Sequence, residues 1–485
     1  MNRKFLCAIL LTAGLQGVAQ KRPNVIYILT DQWRSSAVGY AGNVQVHTPN
    51  IDSFAKNAVI FKNCVSVCAK CTPYRAALMT GRYPTTTGMF MNDLYLPDKE
   101  LCMAEIFRKA GYHTAYYGKW HLDGHGRLNN VAPERRQGFS YWKAAECSHE
   151  YNKMPYYDND DPTIKYWSGY SPFAMESDVE KYLEQHAKDG NPFLLFVSLA
   201  TPHFSKDRAP EKFLEMYPPS GLELPVNVPA GKFPNIRTEL QNYYAHCSAT
   251  DQAIGDLIGK IKSLGLFGNS IIVFTADHGE MMGSHGVRPR EKQLAWDEAV
   301  KVPFLIRFPG IGPHSGQSTL TPLNTTDILP TLLSLSRIAI PASIQGKDIS
   351  AVVRHPERDV DRAVLFMCVY PVAQTHFSEY RAIKTKRYTY VKAPGRAIMM
   401  FDNRHDPFEM NNLIGLPKYR PLQDSMERVL DKQLREIGDP DFKPYPYYLD
   451  KFGFHDLGKD MQEVPYTEVP GPVTRVYSPI NTFSK

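Results

Sequence analysis

Four apolar runs along the chain share one plan: each stops at polar residues capable of chemistry. Asn24 to Thr30 runs into Asp31 and Gln32, and His113 to Tyr117 runs into Gly118-Lys119-Trp120-His121. Phe193 to Leu199 leads to Thr201-Pro202-His203, and Ser270 to Thr275 leads to Asp277-His278-Gly279-Glu280. Continuous apolar runs of this length suit strands covered on both faces. Helical patterns fall between and around them, over Met103 to Ala110, Asp178 to Lys188 and Thr238 to Leu264. The alternation predicts an α/β fold, a large and mostly parallel sheet sandwiched by helices, with its site beyond the C-terminal strand ends.

The texture changes twice. Asp123 to Tyr170 is aromatic and polar without a clear period, which predicts long insertions over the mouth of the site. Past residue 360, Ala363 to Tyr370 and Tyr380 to Val391 read as antiparallel strands. A short strand at Met399 to Phe401 and a helix over Leu422 to Ile437 follow. The expected organisation is therefore a catalytic unit over residues 22–360 and a smaller C-terminal α+β subdomain with an antiparallel sheet over 361–485.

Composition adds little to this until the N-terminus is considered. A chain of 485 residues, 43% hydrophobic and 22% charged, is an ordinary globular protein with room for a large core. A basic start at Met1 to Lys4, an apolar run from Phe5 to Leu11 and a small-residue exit ending at Gln20 read as a signal peptide over residues 1–20. That predicts export, to the periplasm or beyond the cell, and no later run is long enough for a membrane span. Removal of Arg3 and Lys4 takes the formal charge from +6 to +4, with no polybasic tract for nucleic acid. Eight cysteines without a dense framework leave room for one or two disulfides. Cys68-Ala-Lys-Cys71 also admits a thiol-redox reading.

The most specific stretch begins at Cys71. Pro73 suits the first helical position, Ala76 to Met79 are strong helix formers, and Gly81 suits a C-cap. A cysteine at that helix start faces free backbone N–H groups that favour an anion. Arg75, one turn on, adds a planar cation suited to a tetrahedral oxyanion.

C-x-P-x-R at Cys71 to Arg75, with Gly81-Arg82-Tyr83-Pro84 after it, resembles the signature of the type I sulfatases, members of the alkaline-phosphatase-like superfamily. Tyr74 stands where family members often carry Ser or Ala. The resemblance extends over about residues 22 to 415, through Gly118-Lys119-Trp120-His121-Leu122, Thr201-Pro202-His203, Asp277-His278-Gly279-Glu280 and Lys292-x-x-x-Trp296-x-Glu298. It implies oxidation of Cys71 to Cα-formylglycine by a maturing enzyme. It also implies a divalent cation, Ca²⁺ with Mg²⁺ as the alternative, held by Asp31, Gln32, Asp277, His278 and the residue-71 side chain. Gln32 replaces a second acid common in the family. By the same resemblance Lys119 and His121 bond the formylglycine hydroxyls and sulfate, and His121 is the base that regenerates the aldehyde. His203 is the general acid for the leaving alcohol, and Lys292 neutralises a sulfuryl oxygen.

An exported sulfatase without a nucleic-acid surface is expected to desulfate glycans from an exo-acting pocket. Trp33, Arg34, Asn92, His125, Trp142, His149 and Tyr151 are the candidate sugar-lining residues, because aromatic faces and amphipathic donors suit sugar rings. The competing readings are a phosphonate or phosphodiester hydrolase on the same scaffold and a catalytically silent binder of sulfated glycans.

Overall fold

The computed structural model describes residues 21–370 and 379–453. The segment expected to be a signal peptide, residues 1–20, lies outside the described residues. A ten-stranded sheet forms the centre, and the four strands expected to carry the site are neighbours in it. Asn24–Asp31 lies between Ser270–Ala276 and Phe193–Pro202, and His113–Lys119 flanks the latter, all parallel. Every residue of the Asn24–Asp31, Phe193–Pro202 and Ser270–Ala276 strands is buried, as their unbroken apolar runs require.

Register puts large rings side by side. Tyr27, Phe196 and Tyr116 stack in sequence across three strands, with centroids 4.8 and 4.9 Å apart. Each such pair contributes about 0.5–1.5 kcal/mol beyond its buried area. The helices Ser171–Asp189 and Ile236–Ser263 pack on each other, and Cys71–Thr80 packs on Thr325–Leu335.

The aromatic region after Asp123 departs from the expected loops. It adds three strands, Tyr141–Ala145, Pro155–Asp158 and Asp161–Tyr166, to one edge of the sheet. Their short length and frequent polar residues hide the period of two from a sequence reading.

A four-stranded antiparallel sheet, Val364–Cys368, Tyr380–Lys384, Tyr388–Ala393 and Arg396–Asp402, lies beyond. The Arg420–Ile437 helix packs on it through buried Met426, Leu430 and Leu434. A hydrogen bond from Met367 N to Val67 O, 2.8 Å, ties this sheet to the segment entering the Cys71 helix. All seven described cysteines are free and buried, so the disulfides the sequence allows are not formed among them.

Candidate active site

The Cys71–Thr80 helix is buried along its whole length and starts at Cys71 itself, two residues before the expected Pro73. Pro73 still falls in the first turn, where its missing N–H costs no hydrogen bond. Gly81 caps the other end at φ 66°. Asn92 Oδ1 accepts the Thr72 N–H at 3.1 Å, so this predicted sugar-lining residue caps the nucleophile helix instead.

The two aspartates meet at this helix end. Arg75 reaches Oδ2 of Asp31 and Oδ2 of Asp277, each at 3.4 Å, while its other amino group bonds Lys119 O and Ser198 Oγ at 2.8 Å. The guanidinium therefore holds the carboxylates from beneath rather than facing an oxyanion. The Oδ1 atoms turn the other way, to within 3.7 Å (Asp31) and 3.5 Å (Asp277) of His278 Nε2. Cys71 Sγ lies 3.3 Å from the same nitrogen, and one donor atom from each of the four residues falls within 4.8 Å of the others. His278 Nδ1 donates to Gly279 O at 3.0 Å, which leaves Nε2 as the free donor to a metal.

The charges show what this cluster lacks. Burial pushes Asp31 up, but Lys119, His203 and Arg75 outweigh it and hold that carboxyl well below its usual range. Burial and the Asp31 charge push Asp277 up. Two wholly buried carboxylates whose Oδ1 atoms converge on a histidine nitrogen fit a divalent cation, although Asp277 Oδ1 also accepts the N–H groups of Gln32 and His278 at 3.1 and 2.9 Å.

Lys119 Nζ donates to Asp31 Oδ2 at 2.7 Å and lies 3.3 Å from His149 Nε2. His149 stacks on His203 with centroids 3.8 Å apart, so it belongs to this centre and not only to a sugar pocket. His203 donates from Nδ1 to Phe204 O at 2.8 Å, and its Nε2 accepts from Lys292 Nζ at 2.9 Å. Burial, His149 and Lys292 hold His203 well below the usual histidine range. Lys292 also reaches Gln32 Oε1 at 3.2 Å and Cys71 Sγ at 3.8 Å, and it forms no ion pair among the described residues. Burial and Asp31 push the Cys71 thiol up, but Lys119, Lys292 and His278 hold it well below its usual value.

His121 sits at φ 60°, buried, with Nε2 on Asp93 Oδ1 at 3.0 Å. Burial works against its charge, yet the Cys147 thiol and Asp93 raise its pKa well above the ordinary value. Gln32 shares the left-handed backbone at φ 60°, a cost that the surrounding bonds must offset. Its backbone N–H and carbonyl are fixed by Asp277 and Tyr243, and its amide by Glu280. Gly118 and Gly279 are required by close approach: a Cβ would strike the backbone oxygens of Ser198 and Glu298 respectively.

The remaining predicted sugar-lining residues divide. Trp33 is wholly buried, donating to Ala37 O and packed edge-on against Phe274. Trp142 is wholly buried against Tyr116 and Trp120, and Tyr151 is wholly buried with its hydroxyl on Ala200 O. These three are core residues, which corrects their assignment to an open pocket. Arg34 is 8% exposed and 3.7 Å from Glu298, and His125 is part-buried beside Asp123 and Tyr95. Sequence reasoning missed Asp93, Cys147 and Glu280. Of these only Glu280, inside the Asp-His-Gly-Glu motif, carried a local signal.

Comparison with known proteins identifies the family. The sulfatase family model matches residues 23–338, and a model for the C-terminal part of N-sulphoglucosamine sulphohydrolase matches 283–436. The chain belongs to the sulfatase family of enzymes, on the alkaline-phosphatase-like fold. It is 54% identical to an ulvan-active sulfatase of Formosa agariphila, over 95% of this chain and 90% of that protein. An endo-4-O-sulfatase of Bacteroides thetaiotaomicron is 29% identical over 87% of this chain and 93% of its own length. The crystal structure of the putative sulfatase yidJ from Bacteroides fragilis superposes with a TM-score of 0.80 at 28% identity, covering 90% of this chain and 99% of that one.

Proposed function

We propose that this enzyme removes sulfate from sulfated carbohydrate of the ulvan kind. In this reading Cys71 is converted to Cα-formylglycine by a maturing enzyme. Asp31, Gln32, Asp277 and His278 hold Ca²⁺, with Mg²⁺ as the alternative ion. The observation that carries the reading is the convergence of buried Asp31, Asp277, His278 and Cys71 beneath two ammonium groups. Together the modified side chain and the cation supply a strong oxygen nucleophile at position 71 near neutral pH.

The chain's own residues do the rest. Lys292, with no carboxylate to satisfy, takes a sulfuryl oxygen, and Lys119 takes another. The anionic ester seated there raises the proton affinity of His203, whose Nε2 then gives its proton to the leaving alcohol. His121, held at Nε2 by Asp93, takes the proton at its unpartnered Nδ1 in the step that frees sulfate, and its raised proton affinity means that it must first give up the proton it carries. Arg75 keeps both aspartates in place throughout. Removal of residues 1–20 on export puts the enzyme where such polysaccharides occur; among the described residues no helix is long and apolar enough to cross a membrane.

The test is anion chromatography of products from protein co-expressed with a formylglycine-generating enzyme, with intact mass confirming conversion at residue 71. Substrates are ulvan oligosaccharides, mono-sulfated sugars differing in ring and position, and a phosphodiester. Sulfate from the sulfated sugars is expected. Phosphate alone would replace the function while keeping the scaffold, and silence with the aldehyde confirmed would remove it.

A further inference from the structure

A cleft of about 560 Å³ opens where the end of the Val59–Phe61 strand meets the turn joining Tyr380–Lys384 to Tyr388–Ala393. Its walls carry six cations and one carboxylate, Asp297. Four of the cations have acidic neighbours. Lys384 and Lys301 share Asp297, Lys386 lies 3.4 Å from Asp359, and Arg387 grips Asp402 with two bonds of 2.8 and 2.6 Å. Lys62 and Arg404, both exposed, form no ion pair among the described residues. A concave wall of one sign concentrates its field on whatever enters.

Asn63 adds a fixed polar group to the wall. It is 5% exposed and lines the same cleft. Its Nδ2 donates to Thr385 O at 2.9 Å, which fixes the amide and leaves Oδ1 a buried acceptor with no partner. That oxygen is shielded from the cleft, so it offers no contact to a ligand there. Leu320, 47% exposed, adds an apolar wall. Cations for an anion and an apolar face for a ring together describe a sulfated sugar. A bare inorganic anion leaves the apolar wall unused.

The cleft is separate from the catalytic centre. Lys384 pairs with Val364 at one end of the antiparallel sheet, while Tyr380 pairs with Cys368 at the other. The Cys368 end adjoins Cys68 and Lys70, immediately before the nucleophile. Strand rise of about 3.3 Å per residue separates the two ends by on the order of 15 Å.

We propose that this cleft is a second, non-catalytic site for a sulfated sugar of the same polysaccharide, holding the chain while the catalytic centre works on another of its sulfates. The proposal rests on the sulfated-carbohydrate reading above. Its test is affinity electrophoresis and steady-state kinetics of the full enzyme and of the pair Lys62→Ala, Arg404→Ala. A second pair, Lys62→Gln with Arg404→Gln, guards against a folding defect. Expected are retention by sulfated ulvan that weakens roughly tenfold in both pairs, the cost of losing charge-assisted bonds to one sulfate, and a matching rise in KM without change in kcat. Nitrophenyl sulfate turnover stays at the parent value, and chemically desulfated ulvan is not retained. Equal retention of parent and variants, or equal retention by desulfated ulvan, overturns the cleft assignment. Failure of the substrate reading shows itself differently, as no sulfate released from any glycan while retention still responds to the two pairs.

Discussion

Two of the buried charge clusters among the described residues are built on opposite principles. In the C-terminal part, Arg381 and Asp439 are both inaccessible and joined at 2.7 Å. The remaining Arg381 donors reach Tyr380 O and Lys443 O at 3.2 Å, and Phe442 covers the guanidinium 4.5 Å from its ring centroid. That cluster is closed, with charges matched and donors used. At the catalytic centre Asp31 and Asp277 share Arg75, but their Oδ1 atoms converge on His278, and Lys292 touches only uncharged partners and the Cys71 sulfur. Burial of charge alone does not mark a functional site; burial with unspent valence does.

Breaking the open cluster is expected to remove activity and spare the fold. Cys71→Ala lowers turnover on the order of 10⁴-fold or more while costing no more than about 1–2 kcal/mol of stability, read by sulfate release and denaturant melts. Near-parental activity would sink the nucleophile assignment. His203→Ala lowers turnover of alkyl sulfates by about 10²–10⁴-fold and of nitrophenyl sulfate far less, since only the poor leaving group needs its proton. Equal losses on both would end its role as general acid.

Breaking the closed cluster should do the reverse. Arg381→Ala strands the Asp439 charge and costs about 3–5 kcal/mol of stability, with kcat of the surviving folded enzyme unchanged. A large kcat loss in folded protein would show that the two clusters are not independent.

A buried histidine outside both clusters separates stability from activity by pH. His246 is held between Tyr170 Oη and Asp207 O, and burial pulls its pKa down to about 4. Above the unfolded value of about 6.5 it is neutral in both states and contributes no pH dependence. As pH falls from there to 4, the unfolded chain binds a proton that the folded one refuses, so stability drops by up to about 3 kcal/mol. Asp251, raised by burial to about 6, opposes that trend, so the comparison is parent against His246→Gln. The variant should lose less stability than the parent on acidification over this window, by up to about 3 kcal/mol; an equal change in both would refute the assignment.

The smallest effect concerns support of the site. Glu280 bonds the Gln32 amide and accepts the N–H groups of Met282 and Arg290 at 2.8 and 2.7 Å. If Ca²⁺ is the ion, as proposed above, Glu280→Ala should raise the Ca²⁺ concentration needed for activity by about 10–100-fold, with activity partly recovered at high Ca²⁺. A loss that calcium never restores would make Glu280 more than a positioning residue.

The sequence alone determined the four central strands and the chemistry at their ends, because a strand buried on both faces must be continuously apolar and its break marks the sheet edge. It likewise determined the Cys71 helix, the C-terminal antiparallel strands and membership of the sulfatase family. Only the tertiary structure decided that Arg75 faces the carboxylates, that His149 joins His203, and that Trp33, Trp142 and Tyr151 are core. An aromatic ring in a loop has the same sequence appearance whether it lines a cavity or fills one. Asp93, Cys147 and the pairless cations of the basic cleft were invisible for a related reason. Their meaning lies in which charges face them across elements distant in the chain, and that is set by packing rather than by any local period.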